Sequence, residues 1–139
     1  MGENTMGNIL IVDDCEEIVD LMHDMIVEHS TLKPFKAYSA KEGLGVIHQN
    51  EIDVILLDLV MPEMNGIEMF RVLKTDGSLV PVIFLTGQGD KLLQNQALEM
   101  GAFDFLHKPA KAKDLFLLID AAYKVSTKIK TIANKKAAN

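Results

Sequence analysis

Five short apolar runs punctuate the chain: Ile9–Val12, Phe35–Tyr38, Val54–Leu57, Val80–Leu85 and Phe103–Leu106. The first, third and fourth are continuous stretches rich in Val, Ile and Leu, the pattern of strands covered on both faces. Between the runs the spacing turns helical. Ile18, Leu21, Met22, Met25 and Ile26 recur at helical intervals, with Glu16 and Glu17 in the first turn, where acids suit the helix dipole. Ser39-Ala40-Lys41-Glu42 has the form of a capping box opening the second helix, and Asn65 with Glu68 makes a similar start for the third. Asp90 is placed to cap the fourth helix and Gly101 to end it. Strand–helix alternation with short connections predicts an α/β fold, a doubly wound parallel sheet with helices on both faces. Ligands of such sheets bind beyond the carboxyl ends of the strands, so site residues should follow the apolar runs.

Polar residues do stand there. The first run ends in Asp13 and Asp14, the third in Asp58 and the fourth in Thr86, and Lys108 follows the fifth. Three carboxylates gathered at one edge repel one another and call for a cation. A hard divalent ion such as Mg²⁺ (or Mn²⁺) takes carboxylates together with waters and a phosphate oxygen. Aspartate is a nucleophile that forms aspartyl-phosphates, and phosphoryl transfer asks mainly for positioning and charge stabilisation. Asp58 fits the nucleophile, Lys108 a mobile point charge for a phosphoryl oxygen, and Thr86 a hydroxyl donor. Gly87 adds a backbone N–H with no side chain in the way.

Charge narrows the classes of partner. Residues 1–123 carry 9 basic and 20 acidic side chains, and residues 124–139 carry 5 Lys and no acid, within a net charge of −6. An acidic body is a poor match for nucleic acid. No apolar run approaches the ~20 residues of a membrane span, and the start, MGENTMGNIL, has no secretory signal pattern. The single cysteine, Cys15, excludes an internal disulfide, and the expected compartment is the cytoplasm.

The segments Ile11-Val12-Asp13-Asp14, Leu57-Asp58-Leu59-Val60-Met61-Pro62-Glu63-Met64-Asn65-Gly66, Leu85-Thr86-Gly87-Gln88-Gly89-Asp90 and Gly101-Ala102-Phe103-Asp104-Phe105-Leu106-His107-Lys108-Pro109 resemble receiver domains of two-component response regulators. The resemblance runs from about Asn8 to Tyr123. It implies a flavodoxin-like (βα)5 fold with strand order 2-1-3-4-5. It further implies that Asp58 is the phosphoacceptor, that Asp14, Asp58 and the Val60 carbonyl bind Mg²⁺, and that Asp13 assists through water. Thr86 and Lys108 would contact the phosphoryl group, and Phe105 would move inward when Thr86 engages it, altering the surface of the last two strand–helix units. The donor would be a sensor histidine kinase or phosphotransfer protein. The Lys108–Pro109 peptide would be cis. Val60 is apolar where many relatives are polar; relatives use this position and Gln88 to set the lifetime of the phosphoryl group. Ala110 stands where a bulky Phe is common.

The expected organisation is an N-terminal tail (1–7), the receiver domain (8–123) and a basic helical extension or tail (124–139). In the last helix Phe116 and Leu117 should lie near the surface. Leu115, Leu118, Ala122, Val125, Ile129 and Ile132 form a heptad-like seam. Its distal half, Val125 to Ile132, suits a helical extension that pairs with a second copy or once led to another domain, and a homodimer could also form through the fourth helix, fifth strand and fifth helix. Each residue also has an ordinary reading: Asp13 and Asp14 as helix caps, Lys108 as a surface lysine, Thr86 as a strand end, Phe105 as core. Cys15 is expected to pack, and His23, His29, His48 and His107 lack metal-ligand spacing and read as surface or partly packed. Two further readings stay open: a pseudo-receiver that binds protein without phosphorylation, and a phosphatase with an aspartate nucleophile. The latter wants an acid where Val60 stands. A flavin or nucleotide site is disfavoured by the acids of Asp13-Asp14-Cys15-Glu16-Glu17, which would repel phosphates.

Overall fold

The computed structural model describes residues 6–87 and 89–138. Most of the expected N-terminal tail (residues 1–5) and Gln88 lie outside them. The elements are β1 (Gly7–Val12), α1 (Glu16–His29), β2 (Leu32–Ala37), α2 (Ala40–Gln49), β3 (Val54–Asp58), α3 (Gly66–Thr75), β4 (Val82–Thr86), α4 (Lys91–Glu99), β5 (Asp104–His107) and α5 (Ala112–Ala138). All strand pairs are parallel, and the order is β2-β1-β3-β4-β5, the doubly wound flavodoxin-like arrangement. The unbroken apolar runs now have their cause. Alternate residues point to opposite faces. Leu10, Val12, Ile55, Leu57 and Phe84 pack under α2, α3 and α4. Ile9, Ile11, Val54, Leu56, Ile83 and Leu85 pack under α1 and α5. Both faces are covered, so both sets must be apolar.

The edge strand departs from the run that announced it. β2 starts at Leu32, three residues before Phe35; this edge strand mixes buried Leu32 and Ala37 with exposed Lys33 and Lys36, so its apolar pattern is broken. Pro34, which lacks an N–H, is tolerated on this sheet edge. β4 starts at Val82 rather than Val80; the carbonyl of Pro81 instead accepts from the Ile55 N–H at 3.1 Å.

Helix ends follow local chemistry with two corrections. Asn65 and Glu68 form a full capping box at α3, with bonds of 2.9 and 3.0 Å. At α2 the Ser39 hydroxyl accepts from the Glu42 N–H, but the Glu42 carboxylate reaches past Ser39 to the Tyr38 N–H. The box is therefore half formed. Asp90 stands at the N-cap of α4 without capping it; its carboxylate is engaged elsewhere, as described below. Gly101, at φ 95°, ends α4 in a Schellman motif, with Ala102 N–H on the Ala97 carbonyl and Gly101 N–H on that of Leu98.

α5 continues without a break past Tyr123. Its buried stripe is Leu115, Ile119, Ala122 and Ser126, and Leu118 of the expected Leu115, Leu118 and Ala122 stripe is only half-buried. Val125 and Ile132 are 38 % and 56 % exposed, and Leu117 is exposed as expected. Phe116 is half-buried, edge-on to His29. One turn beyond Ser126, Lys130 forms ion pairs with Asp53 and Glu51. The Tyr123 hydroxyl donates to the Met6 carbonyl at 2.7 Å.

Candidate functional site

The carboxyl ends of β1, β3, β4 and β5 carry Asp13, Asp58, Thr86 and Lys108 to one edge. Asp13 is fully buried, Asp58 is 5 % exposed and Asp14 is open to solvent. One carboxylate oxygen from each of the three acids lies within 4.8 Å of the others. Lys108 Nζ stands 2.8 Å from Asp13 Oδ2 and 3.3 Å from Asp58 Oδ2, so one ammonium bridges two buried carboxylates. Asp13 Oδ1 accepts the Cys15 N–H at 3.0 Å. Among the described residues, Lys108 Nζ at 2.8 Å is what faces the buried Asp13 Oδ2 and compensates its charge. Burial, then the neighbouring Asp13, pushes the Asp58 carboxyl up to about 7, against the pull of Lys108.

The loop after β3 depends on one glycine. A Cβ on Gly66 would sit 2.3 Å from the Asp58 carbonyl oxygen, and the Gly66 N–H donates to the Leu59 carbonyl at 2.9 Å. Only a residue without a side chain lets α3 start this close to the acceptor strand. Val60 is 54 % exposed, and its N–H approaches Asp58 Oδ1 at 3.4 Å. The Lys108–Pro109 peptide is cis.

Two local surroundings differ from expectation. The Gly87 N–H, expected free, donates to Asp90 Oδ2 at 2.8 Å; this is where the expected α4 cap has gone. Cys15, expected to pack, is exposed. Phe105 is half-buried and stacked on Phe84, 6.1 Å between ring centroids. His107, which reads as surface or partly packed, is exposed. The β4–β5 register sets it beside Thr86, and its Nδ1 lies 3.0 Å from the Thr86 hydroxyl. No motif could have revealed this contact, because it depends on which strands are neighbours. An open cleft of about 420 Å³ runs along Thr86, Gly87, Asp90, His107 and Lys108.

This combination defines a doubly wound α/β domain with an acidic, lysine-bridged site at its carboxyl edge. The chain belongs to the response regulator receiver domain family, whose model matches residues 9–120. It is 34 % identical over 115 residues to the response regulator SaeR of Staphylococcus aureus, an alignment covering 83 % of this chain and 50 % of SaeR. The chain thus spans about half the length of the curated relatives it matches. A response regulator receiver domain protein from Clostridium thermocellum superposes with a TM-score of 0.82 at 31 % identity, covering 89 % of this chain and 99 % of that one. The receiver domain of Francisella response regulator 1452 gives 0.79 at 28 % identity, covering 86 % and 98 %. The general function of the chain is that of a two-component receiver, a phosphorylation-based switch. No helix among the described residues is long and apolar enough to cross a membrane.

Proposed function

We propose that Asp58 accepts a phosphoryl group from a phosphohistidine on a sensor histidine kinase or phosphotransfer protein, in a Mg²⁺-dependent reaction that the chain itself promotes. A carboxylate oxygen of Asp58 attacks phosphorus; the new P–O bond forms as the P–N bond to the donor imidazole breaks, and the imidazole leaves and takes up a proton. The observation that carries this reading is Lys108, held between Asp13 and Asp58 within 3.3 Å of both. There it can transfer its charge to a phosphoryl oxygen.

The donors suit a hard cation: three carboxylates converge, and the buried Asp13 and Asp58 share the single ammonium of Lys108 among the described residues. Asp14, Asp58 and the Val60 carbonyl would hold Mg²⁺, with Asp13 assisting. When bound, the ion neutralises the charge of the carboxylates and of the phosphoryl group. Thr86 would then donate its hydroxyl proton to a phosphoryl oxygen, with Gly87 adding its N–H once Asp90 releases it. Phe105 would turn inward as Thr86 moves, which changes the β4–α4–β5–α5 surface.

Incubating the chain with acetyl phosphate and Mg²⁺ should add one phosphoryl group by intact-mass measurement, and Asp58→Asn should add none. Unmodified wild type, or a modified Asp58→Asn, overturns the proposal.

A further inference from the structure

Thr86 is fully buried, and the partner of its hydroxyl in the structure is His107 Nδ1, 3.0 Å away on the neighbouring strand. The ring of His107 is otherwise exposed along the cleft that also holds Lys108, Gly87 and Asp90. A hydroxyl has one proton to give. With the imidazole neutral and its own N–H on Nε2, that proton goes to Nδ1. It cannot then reach a phosphoryl oxygen on Asp58. The Gly87 N–H, the second donor at this corner, is likewise committed to Asp90. With that tautomer, the two uncharged donors that the proposed function aims at the phosphoryl group, Thr86 and Gly87, are engaged with other acceptors.

We infer that His107 is a positioning residue: it holds the Thr86 hydroxyl in the resting orientation and competes with the phosphoryl group for its proton. This rests on the phosphoacceptor role proposed for Asp58. The buried hydroxyl makes the competition effective, because a Thr86 without His107 would lose its partner among the described residues and would favour the orientation that finds one. The equilibrium between resting and engaged conformations is therefore set partly by residue 107.

The test follows phosphorylation of the full chain by acetyl phosphate with Mg²⁺. His107→Leu keeps bulk and removes the acceptor; it should be phosphorylated about fivefold faster, the factor carried by one ordinary hydrogen bond. His107→Asn places an amide oxygen near the position of Nδ1 and should stay near the wild-type rate. In a Thr86→Ala background, His107→Leu should change nothing, whereas a general packing role would persist there. A His107→Leu rate at or below wild type, an Asn variant that behaves like Leu, or an effect that survives Thr86→Ala overturns the inference while leaving the role of Asp58 intact. A wild-type chain that takes up no phosphoryl group overturns both.

Discussion

Asp58 shows how a side chain gains its chemistry from its surroundings. In the unfolded chain it is an ordinary carboxylic acid; in the fold, burial and Asp13 raise it to about 7. The sign of the linkage follows. Between the ordinary carboxylate value near 3.8 and the raised one, the folded state holds a proton that the unfolded state has lost. The contribution of Asp58 to stability is therefore fully present at low pH and is lost as pH rises through that window. In chelator-treated protein, Asp58→Asn should gain on wild type by on the order of 4 kcal/mol from about pH 4 to pH 7. Urea unfolding across that range measures it. A stability difference that stays constant with pH would show that the raised value is wrong. Asp58 and Lys108 are legible as site residues because each follows an apolar run. The bridge they share with Asp13 is not, because nothing local specifies which way the Lys108 side chain turns.

Among the elements, α5 is where pattern and structure diverge most instructively. The apolar residues of its first half cover more than one face, so helical spacing admits both a 115-118-122-125 stripe and the observed 115-119-122-126 stripe. Tertiary contacts choose between them. The chosen face continues into Lys130, which closes on Asp53, a 4 % exposed carboxylate that also accepts the Asn8 N–H at 2.8 Å. This anchors the basic extension to β1 and to the turn before β3. Removing Lys130 leaves Asp53 buried with its charge uncompensated. Lys130→Ala should cost ~1–2 kcal/mol, a value reduced because the lysine itself is partly exposed. Amide exchange in α5 beyond Ser126 should speed up as well. Unchanged exchange there would mean that the extension is held by other contacts.

The whole molecule makes the site by bringing together acids 44 and 45 positions apart. Asp13 and Asp14 follow β1 and Asp58 ends β3, two strands that are neighbours only because of the sheet order. The acids form no cluster in the unfolded chain, so a cation that uses them binds the folded state alone and stabilises it by mass action. Mg²⁺ at concentrations well above its dissociation constant should raise Tm in wild type, by ~2–3 kcal/mol of stability at a hundredfold excess. Chelation should reverse the rise, and Asp58→Asn should show little of it. An equal rise in both proteins would place the ion elsewhere.

The amino-acid sequence by itself determined the alternation of elements, the doubly covered sheet and the strand ends that carry Asp13, Asp14, Asp58, Thr86 and Lys108. It also determined the capping box at Asn65 and the stop at Gly101. These are signals of short range: periodicity, caps and the residue that follows a buried run. The tertiary structure alone decided that Thr86 meets His107, that Asp90 takes the Gly87 N–H instead of capping α4, and that Lys130 reaches back to Asp53. The physical reason is common to Thr86 and Lys130. A hydrogen bond or ion pair between separate elements depends on register and packing over the whole sheet, and no local pattern carries that information. Asp90 shows the same limit at close range: its carboxylate could satisfy either of two nearby N–H groups, and the packed shape of the loop selected one.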